Sequence, residues 1–342
     1  MAAYINFQPS DYYNTNLWTG NGTELAVTNV GFQSDSTLIK ERNGGNAWNW
    51  FDAVRGATKY LKTSGNNAEA TDAETLKSWQ STGFTVGTSV ANNDSGQLYV
   101  GFNWKAGTTS GLTGGTITPS SYSINTTSGV GIYQYAGNGT DPATISHGLG
   151  IAPQMVIVKS LASASWAVGH IGATFNYYGN LDATDAFYDN DGYWSDDAPT
   201  STVFTIGSDG LVNTNAQNYI AYVFAPVKGF SSFSKYIGNG NADGPFVYTG
   251  FRPAFVMTKR TNGTGSWCVY NDKMLGYNAD NDQLLANDNG AAGTGNNLDL
   301  LSNGFKLRVS TAESNASGGE FICAAFAEFP FVSSNSKPGT AR

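Results

Sequence analysis

Residues able to do chemistry are few in this 342-residue chain, and most are carboxylates. Six of them crowd one short stretch: Asp182, Asp185, Asp189, Asp191, Asp196 and Asp197. Asp189-Asn190-Asp191-Gly192 has the start of a calcium loop, in which hard oxygens alternate and Gly makes the bend. The closing Glu at EF-hand spacing is missing. The stretch therefore reads as a solvated, turn-forming acidic loop, and no metal is assigned to it. His147 and His170 have no Ser and Asp in a recognisable nucleophile elbow, so no triad is assigned. Two His and two Cys leave little material for a zinc site. Glycosidase chemistry needs two carboxylates across a cleft, which 26 acids meet trivially and uninformatively. No catalytic residue and no cofactor is assigned, and the chain reads as a non-enzyme.

Aromatic residues are the better binding candidates. Trp50, Tyr177, Tyr178, Tyr188, Tyr193, Trp194 and Tyr277 lie in loop-like sequence, three of them around Asp189, Asn190 and Asp191. Rings beside amides and carboxylates suit stacking on a sugar whose hydroxyls are hydrogen-bonded, and they equally suit a protein interface. A net charge of −8 argues against nucleic acid, which needs a basic face. No apolar run approaches ~18 residues, so no membrane insertion is expected. Residues 1–10 lack a basic region and an apolar core, so no signal peptide is expected.

The elements that would position these residues repeat. Trp18-Thr-Gly-Asn-Gly22, Tyr135-Ala-Gly-Asn-Gly139 and Tyr236-Ile-Gly-Asn-Gly240 each place a tight turn after an aromatic residue. Each is followed by a short apolar strand ending in Lys40, Lys159 or Lys259, then by Trp48, Trp166 or Trp267. Phe-centred strands follow at Phe84, Phe204 and Phe305. Each unit closes on a strand rich in aromatic and small residues, around 98–104, 219–224 and 321–326. Such order predicts an internal threefold repeat. Short β-branched and aromatic strands with frequent turns predict an all-β chain of three tandem β-sandwich domains, jelly-roll-like. Thr71-Asp-Ala-Glu74 imitates a helical capping box, but its counterparts near 182–202 and 287–302 carry Gly, Asn or Pro, so strand and loop are expected there. The boundaries drawn are an N-terminal docking arm 1–16, sandwiches at 17–105, 131–227 and 228–331, a Gly/Ser/Thr linker or surface-draped arm 106–130 and a C-terminal tail 332–342. Cys268 and Cys323 stand where the second unit has Ala167 and Ala221, which predicts small buried free thiols.

Gly244-Pro-Phe-Val-Tyr-Thr-Gly-Phe-Arg-Pro-Ala-Phe-Val256, Leu301-Ser-Asn-Gly-Phe-Lys-Leu307, Asp52-Ala-Val-Arg-Gly-Ala-Thr-Lys-Tyr60 and Phe102-Asn-Trp-Lys-Ala-Gly107 together resemble an uncharacterised repeat-domain family of tailed, often marine, bacteriophages. Its members are labelled tail-fibre-like or virion structural proteins. The resemblance runs from Tyr4 to Phe331 and carries no catalytic residues. It implies a location in the virion and other virion proteins as partners. A tail-fibre or receptor-binding element contacting host-surface glycan is the first expectation. A capsid decoration, cement or head-fibre protein is the second, because heptads and collagen repeats for a shaft are missing. A virion-borne polysaccharide hydrolase is the third. A homotrimer is expected slightly over a monomer whose three units imitate one. The almost uncharged arm, with Tyr4, Phe7, Tyr12 and Tyr13, is too short for a core and is expected to dock on the virion or on the chain's own domains.

Overall fold

The computed structural model describes residues 5–274, 278, 281–295 and 297–329. Tyr4, Tyr277 and the tail 332–342 lie outside them.

The chain is all-β, built of antiparallel sheets. Its first part holds β1 (Tyr13–Thr19), β2 (Leu25–Val27), β3 (Ser36–Glu41), β4 (Asn49–Asp52), β5 (Lys59–Tyr60), β6 (Ala70–Thr71), β7 (Leu76–Gln80), β8 (Gly83–Val86) and β9 (Leu98–Trp104). Its middle holds β10 (Ser121–Asn125), β11 (Val130–Ala136), β12 (Ala143–Ser146), β13 (Met155–Ser160), β14 (Trp166–His170), β15 (Thr174–Asn180), β16 (Tyr188–Asp189), β17 (Val203–Ile206) and β18 (Asn218–Phe224). Its last part holds β19 (Ser231–Ile237), β20 (Phe246–Tyr248), β21 (Arg252–Arg260), β22 (Cys268–Asn271), β23 (Leu284–Leu285), β24 (Leu298–Leu301), β25 (Gly304–Leu307) and β26 (Glu320–Phe329). Single helical turns, α1 (Val90–Asn93), α2 (Asp191–Trp194) and α3 (Ala312–Asn315), are the only α-helix among the described residues. The capping-box imitation at 71–74 is strand and turn, as expected.

Three large sheets contain the orders β1-β9-β3-β4, β11-β18-β13-β14 and β19-β26-β21-β22. Smaller sheets, β2-β8-β7, β12-β17 and β20-β25-β24, face them. Between each large sheet and its small partner lies a local core, centred on Phe84 and Tyr99, on Phe204 and Tyr219, and on Phe305 and Phe321. The opposite faces of the large sheets meet in one shared core. The closing strands show why. In β9, Val100, Phe102 and Trp104 face the shared core, while Tyr99 faces the local one. In β18, Ile220, Tyr222 and Phe224 alternate with Tyr219, Ala221 and Val223. In β26, Ile322, Ala324 and Phe326 alternate with Phe321, Cys323 and Ala325. A strand covered on both faces reads as a continuous apolar run instead of an alternating one.

One turn recurs for a steric reason. At Gly20, Gly137 and Gly238 an added Cβ would collide with the carbonyl oxygens of Asp94, Thr214 and Ala316. Buried Asn93, Asn213 and Asn315 clamp these turns by accepting from the N–H of Asn21, Asn138 and Asn239 at 3.0, 2.8 and 2.8 Å.

Two expected boundaries change. The arm 1–16 is not separate, because β1 begins at Tyr13 and pairs with β9 through Asn16. Tyr13, Thr15 and Asn16 are buried in that pairing. The segment 106–130 is not a free linker. It contains β10, which pairs with β11, and Gly115 and Ile117 bridge to Ile145 on the edge of β12. A Gly/Ser/Thr composition suggests coil, but extended backbone pairs whatever side chains it carries.

Candidate functional site

The middle sheet ends in the hairpin-like pair β15 and β16, with Tyr177 opposite Asp189 and Tyr178 opposite Tyr188. Cross-strand partners share a face. Tyr178 and Tyr188 therefore meet, with centroids 6.2 Å apart, and Tyr178 stacks flat on Tyr193 at 3.5 Å. Three rings thus run from solvent into the core. Tyr188 is 49% exposed and Tyr177 39%, whereas Tyr193 is buried. Burial, together with Tyr178 and Asp209, holds the Tyr193 hydroxyl protonated far above the usual phenol range. Asn190 caps the turn α2 by accepting from the Gly192 N–H at 3.0 Å. Asp189, Asn190 and Asp191 stay exposed.

Several sequence candidates are placed elsewhere by the fold. Trp194 is fully buried, edge-on to Phe175 at 5.9 Å. Tyr193 is buried as well, so neither side chain is presented at the surface. Trp50 is buried in the shared core, stacked on Tyr222 at 4.0 Å and on Trp166 at 5.5 Å. The virion-docking candidates Phe7, Tyr12 and Tyr13 are engaged by the chain itself. Phe7 meets Phe230 at 5.5 Å, Tyr12 meets Phe7 at 4.9 Å, and Tyr13 stacks on Phe326 at 5.3 Å. Of the loop candidates, Tyr178 and Tyr188 lie on one face of this edge and Tyr177 and Asp189 on the other, with exposed Asn190 and Asp191 following at its end.

The six aspartates do not act as a group. Asp182 accepts from the Trp166 N–H at 3.0 Å, and the Asp185 carbonyl accepts from Lys259 Nζ at 2.6 Å. Among the described residues no three acid, imidazole or thiol groups converge on a point that would hold a metal ion.

The remaining polar chemistry is structural. Lys40, Lys159 and Lys259, the strand-ending lysines, are fully buried with Nζ donating to backbone carbonyls. Burial pushes each down to about 8. His147 and His170 are buried too. His170 Nδ1 accepts from Gly172 N–H at 2.9 Å, so Nε2 carries the proton and donates to the Cys323 carbonyl at 3.2 Å. Cys268 and Cys323 are buried free thiols, pushed up by burial to about 12 and about 11.

These burials set the pH response. Burial lowers His170 to about 4 and His147 in the same direction. Between pH 6.5 and 4 the unfolded chain takes up the His170 proton and the fold does not, so stability falls on acidification. The expected loss from His170 alone is about 3 kcal/mol by pH 4. Urea unfolding at pH 7, 5.5 and 4 checks it, and His170→Gln should flatten the slope. On the alkaline side the lysines act in the same sense. Their folded pKa lies below the unfolded one, so stability rises with pH above about 8. It rises until the unfolded tyrosines ionise near 10.

A buried network joins the first part to the middle. Arg55 Nε donates to Asp52 Oδ2 at 2.6 Å, the Tyr222 hydroxyl donates to the same oxygen at 2.7 Å, and Arg55 Nη2 donates to the Trp50 carbonyl at 2.8 Å. Burial disfavours the Arg55 charge, but Asp52, Tyr222 and Glu69 outweigh it and hold it above its ordinary pKa. The spacing of Asp52 and Arg55 was legible as an acid and a base three apart; Tyr222, 167 residues from Arg55, was not. Sequence reasoning also passed over Phe246 and Tyr248, although Tyr248 at 64% is more exposed than either Tyr177 or Tyr188.

In a search of curated proteins nothing matches this chain. A family model described as a domain of unknown function, DUF7483, matches residues 8–330, which is nearly all of the sequence and spans every sheet described above; the chain belongs to the DUF7483 family.

Proposed function

We propose that the three strand sets are copies of one β-sandwich closed into a ring about an approximate threefold axis. We further propose that this ring is a phage virion structural protein contacting host-surface glycan through Tyr177 and Tyr188. Three recurrences support the ring: the shared strand order, the Gly-Asn-Gly clamps, and the cyclic hydrogen bonds of Trp48, Trp166 and Trp267. Trp48 Nε1 donates to the Leu285 carbonyl at 2.8 Å, Trp166 Nε1 to the Lys62 carbonyl at 3.0 Å, and Trp267 Nε1 to the Asn180 carbonyl at 2.8 Å. The first set thus holds the third, the second holds the first, and the third holds the second. A ring complete within one chain favours the monomer over the homotrimer. The virion assignment rests on the sequence resemblance.

The observation that carries the adhesive reading is a sheet edge with a half-exposed tyrosine on each face, Tyr188 on one and Tyr177 beside Asp189 on the other, next to exposed Asn190 and Asp191. Rings there offer stacking faces, and the acids offer acceptors for sugar hydroxyls. Capsid decoration is the second reading, favoured by one observation: a closed ring with no shaft among the described residues. A hydrolase has less support. The imidazoles are spent on structural bonds. Burial raises the Asp35 carboxyl above its usual range, but its oxygens already accept from Ala106 N–H and the Ser123 hydroxyl.

The double variant Tyr177→Ala/Tyr188→Ala separates the first two readings. Both rings are surface groups, so stability should stay within about 0.5 kcal/mol of wild type. Particles should incorporate the protein fully, and host attachment should weaken roughly thirtyfold, since two stacking contacts of about 1 kcal/mol each amount to about one and a half decades of affinity. Protein shed from otherwise infectious particles would favour decoration. Unchanged attachment with the protein retained would rule out this surface as the adhesive one.

A further inference from the structure

Among the described residues the edge of β20 is open. Among these residues β20 pairs only with β25, with Val247 opposite Phe305 and buried. Phe246 and Tyr248 point outward, 45% and 64% exposed. The middle part has a corresponding edge, β12, with Ile145 opposite Phe204. There the chain adds a strand of its own. The N–H groups of Thr116 and Ile117 donate to the Thr144 carbonyl at 2.8 and 3.0 Å, and the Thr144 N–H donates to Thr116 Oγ1 at 2.7 Å. At Phe246 and Tyr248 no described residue does the same.

Edge strands are usually blunted by charge, proline or twist. This one is weakly protected. Lys306, opposite Phe246, is turned aside: its Nζ donates to the Gly244 carbonyl at 2.7 Å and pairs with Asp243 at 2.9 Å. Residues 245–251 carry no charge. The strand is also self-complementary. Antiparallel pairing centred on Val247 sets Phe246 of one copy against Tyr248 of the other, twice, and lets their outward N–H and C=O groups exchange hydrogen bonds.

We propose that β20 is the docking edge for a second copy of this chain, joined antiparallel through the same strand. A twofold contact of this type closes on itself and gives a dimer, not a fibre. The contact is small. Aromatic side chains bury about 150–250 Å² each when fully covered. Two half-exposed rings per copy therefore supply far less than the roughly 800 Å² per partner of a standard interface. Association in free solution is weak, and copies held side by side gain from effective concentration. The proposal rests on strand geometry and is independent of the glycan reading, because Tyr177 and Tyr188 are not on this edge.

Sedimentation equilibrium of the full chain from about 10 μM to 1 mM tests it. The mass should climb from 36.2 kDa toward twice that value with concentration. Added salt should strengthen the dimer, since each copy carries −8. Phe246→Lys/Tyr248→Lys should stay monomeric throughout with an unchanged melting temperature. A wild-type chain that remains monomeric at 1 mM overturns the proposal. So does a dimer that persists undiminished in the double variant. A monomer that instead binds a peptide of residues 112–118, and loses it in the double variant, assigns the edge to a foreign strand and overturns the second copy as its occupant.

Discussion

Alanine at Trp48, Trp166 or Trp267 is expected to lower the unfolding free energy by about 4–6 kcal/mol at each position. Truncating a buried Trp costs about 3–5 kcal/mol through lost transfer energy and the cavity left behind. Here the indole N–H is also lost from a carbonyl distant in sequence, which adds about 1 kcal/mol. All three rings are essentially inaccessible, and each lies in the shared core. The total stability of a domain is only about 5–15 kcal/mol, so a single change removes a large fraction of it. Trp→Phe keeps most of the volume and loses the donor, so it should cost less than alanine at every position. Urea unfolding followed by far-UV circular dichroism measures both series. The ring proposal expects similar losses at the three sites. A loss below about 1 kcal/mol at any one of them, with the others large, would show that the three junctions are not equivalent.

Removing the Asp52 charge should be nearly as damaging. Asp52→Asn leaves the Arg55 guanidinium buried, with Glu69 at 3.4 Å as its remaining carboxylate. Breaking a buried ion pair by neutralising one partner costs about 3–5 kcal/mol, mostly from the uncompensated charge. Replacing both ends with apolar residues, Asp52→Leu/Arg55→Met, should recover much of that, because the desolvation of both charges is no longer needed. Tyr222→Phe removes one hydrogen bond to Asp52 and should cost about 1–2 kcal/mol. A double-mutant cycle on Asp52 and Arg55 tests the network. Additive losses would mean that the pair contributes no coupling and that the first and middle parts are joined by apolar packing alone.

The expected consequence of the loop candidates changed most between sequence and fold. Tyr188, Tyr193 and Trp194 are adjacent in sequence, yet only Tyr188 reaches solvent. The turn α2 directs Tyr193 and Trp194 inward, while β16 leaves Tyr188 at the sheet edge. Trp50 moved from candidate ligand contact to the shared core for a related reason. It lies on β4 among residues buried on both faces, and a strand pattern of that kind cannot be told from loop sequence by ring content alone.

What the sequence determined by itself was local. Gly-Asn-Gly turns, strands ending in lysine and a Phe-centred strand were legible because each answers to short-range constraints: a glycine without Cβ, positive φ at Gly22, Gly139 and Gly240, and alternation along a strand. The all-β class followed from the same signals. Tertiary structure decided what covers the second face of each large sheet. Period-two alternation shows that Val100, Phe102 and Trp104 share a face, but not that this face meets Phe224, Phe255 and Phe326. It likewise could not show that Tyr222 completes the Asp52–Arg55 pair, or that 114–117 covers β12 while no described residue covers β20. Those outcomes depend on contacts between residues far apart in the chain, and no local preference of φ, ψ or side-chain type encodes which distant surface arrives.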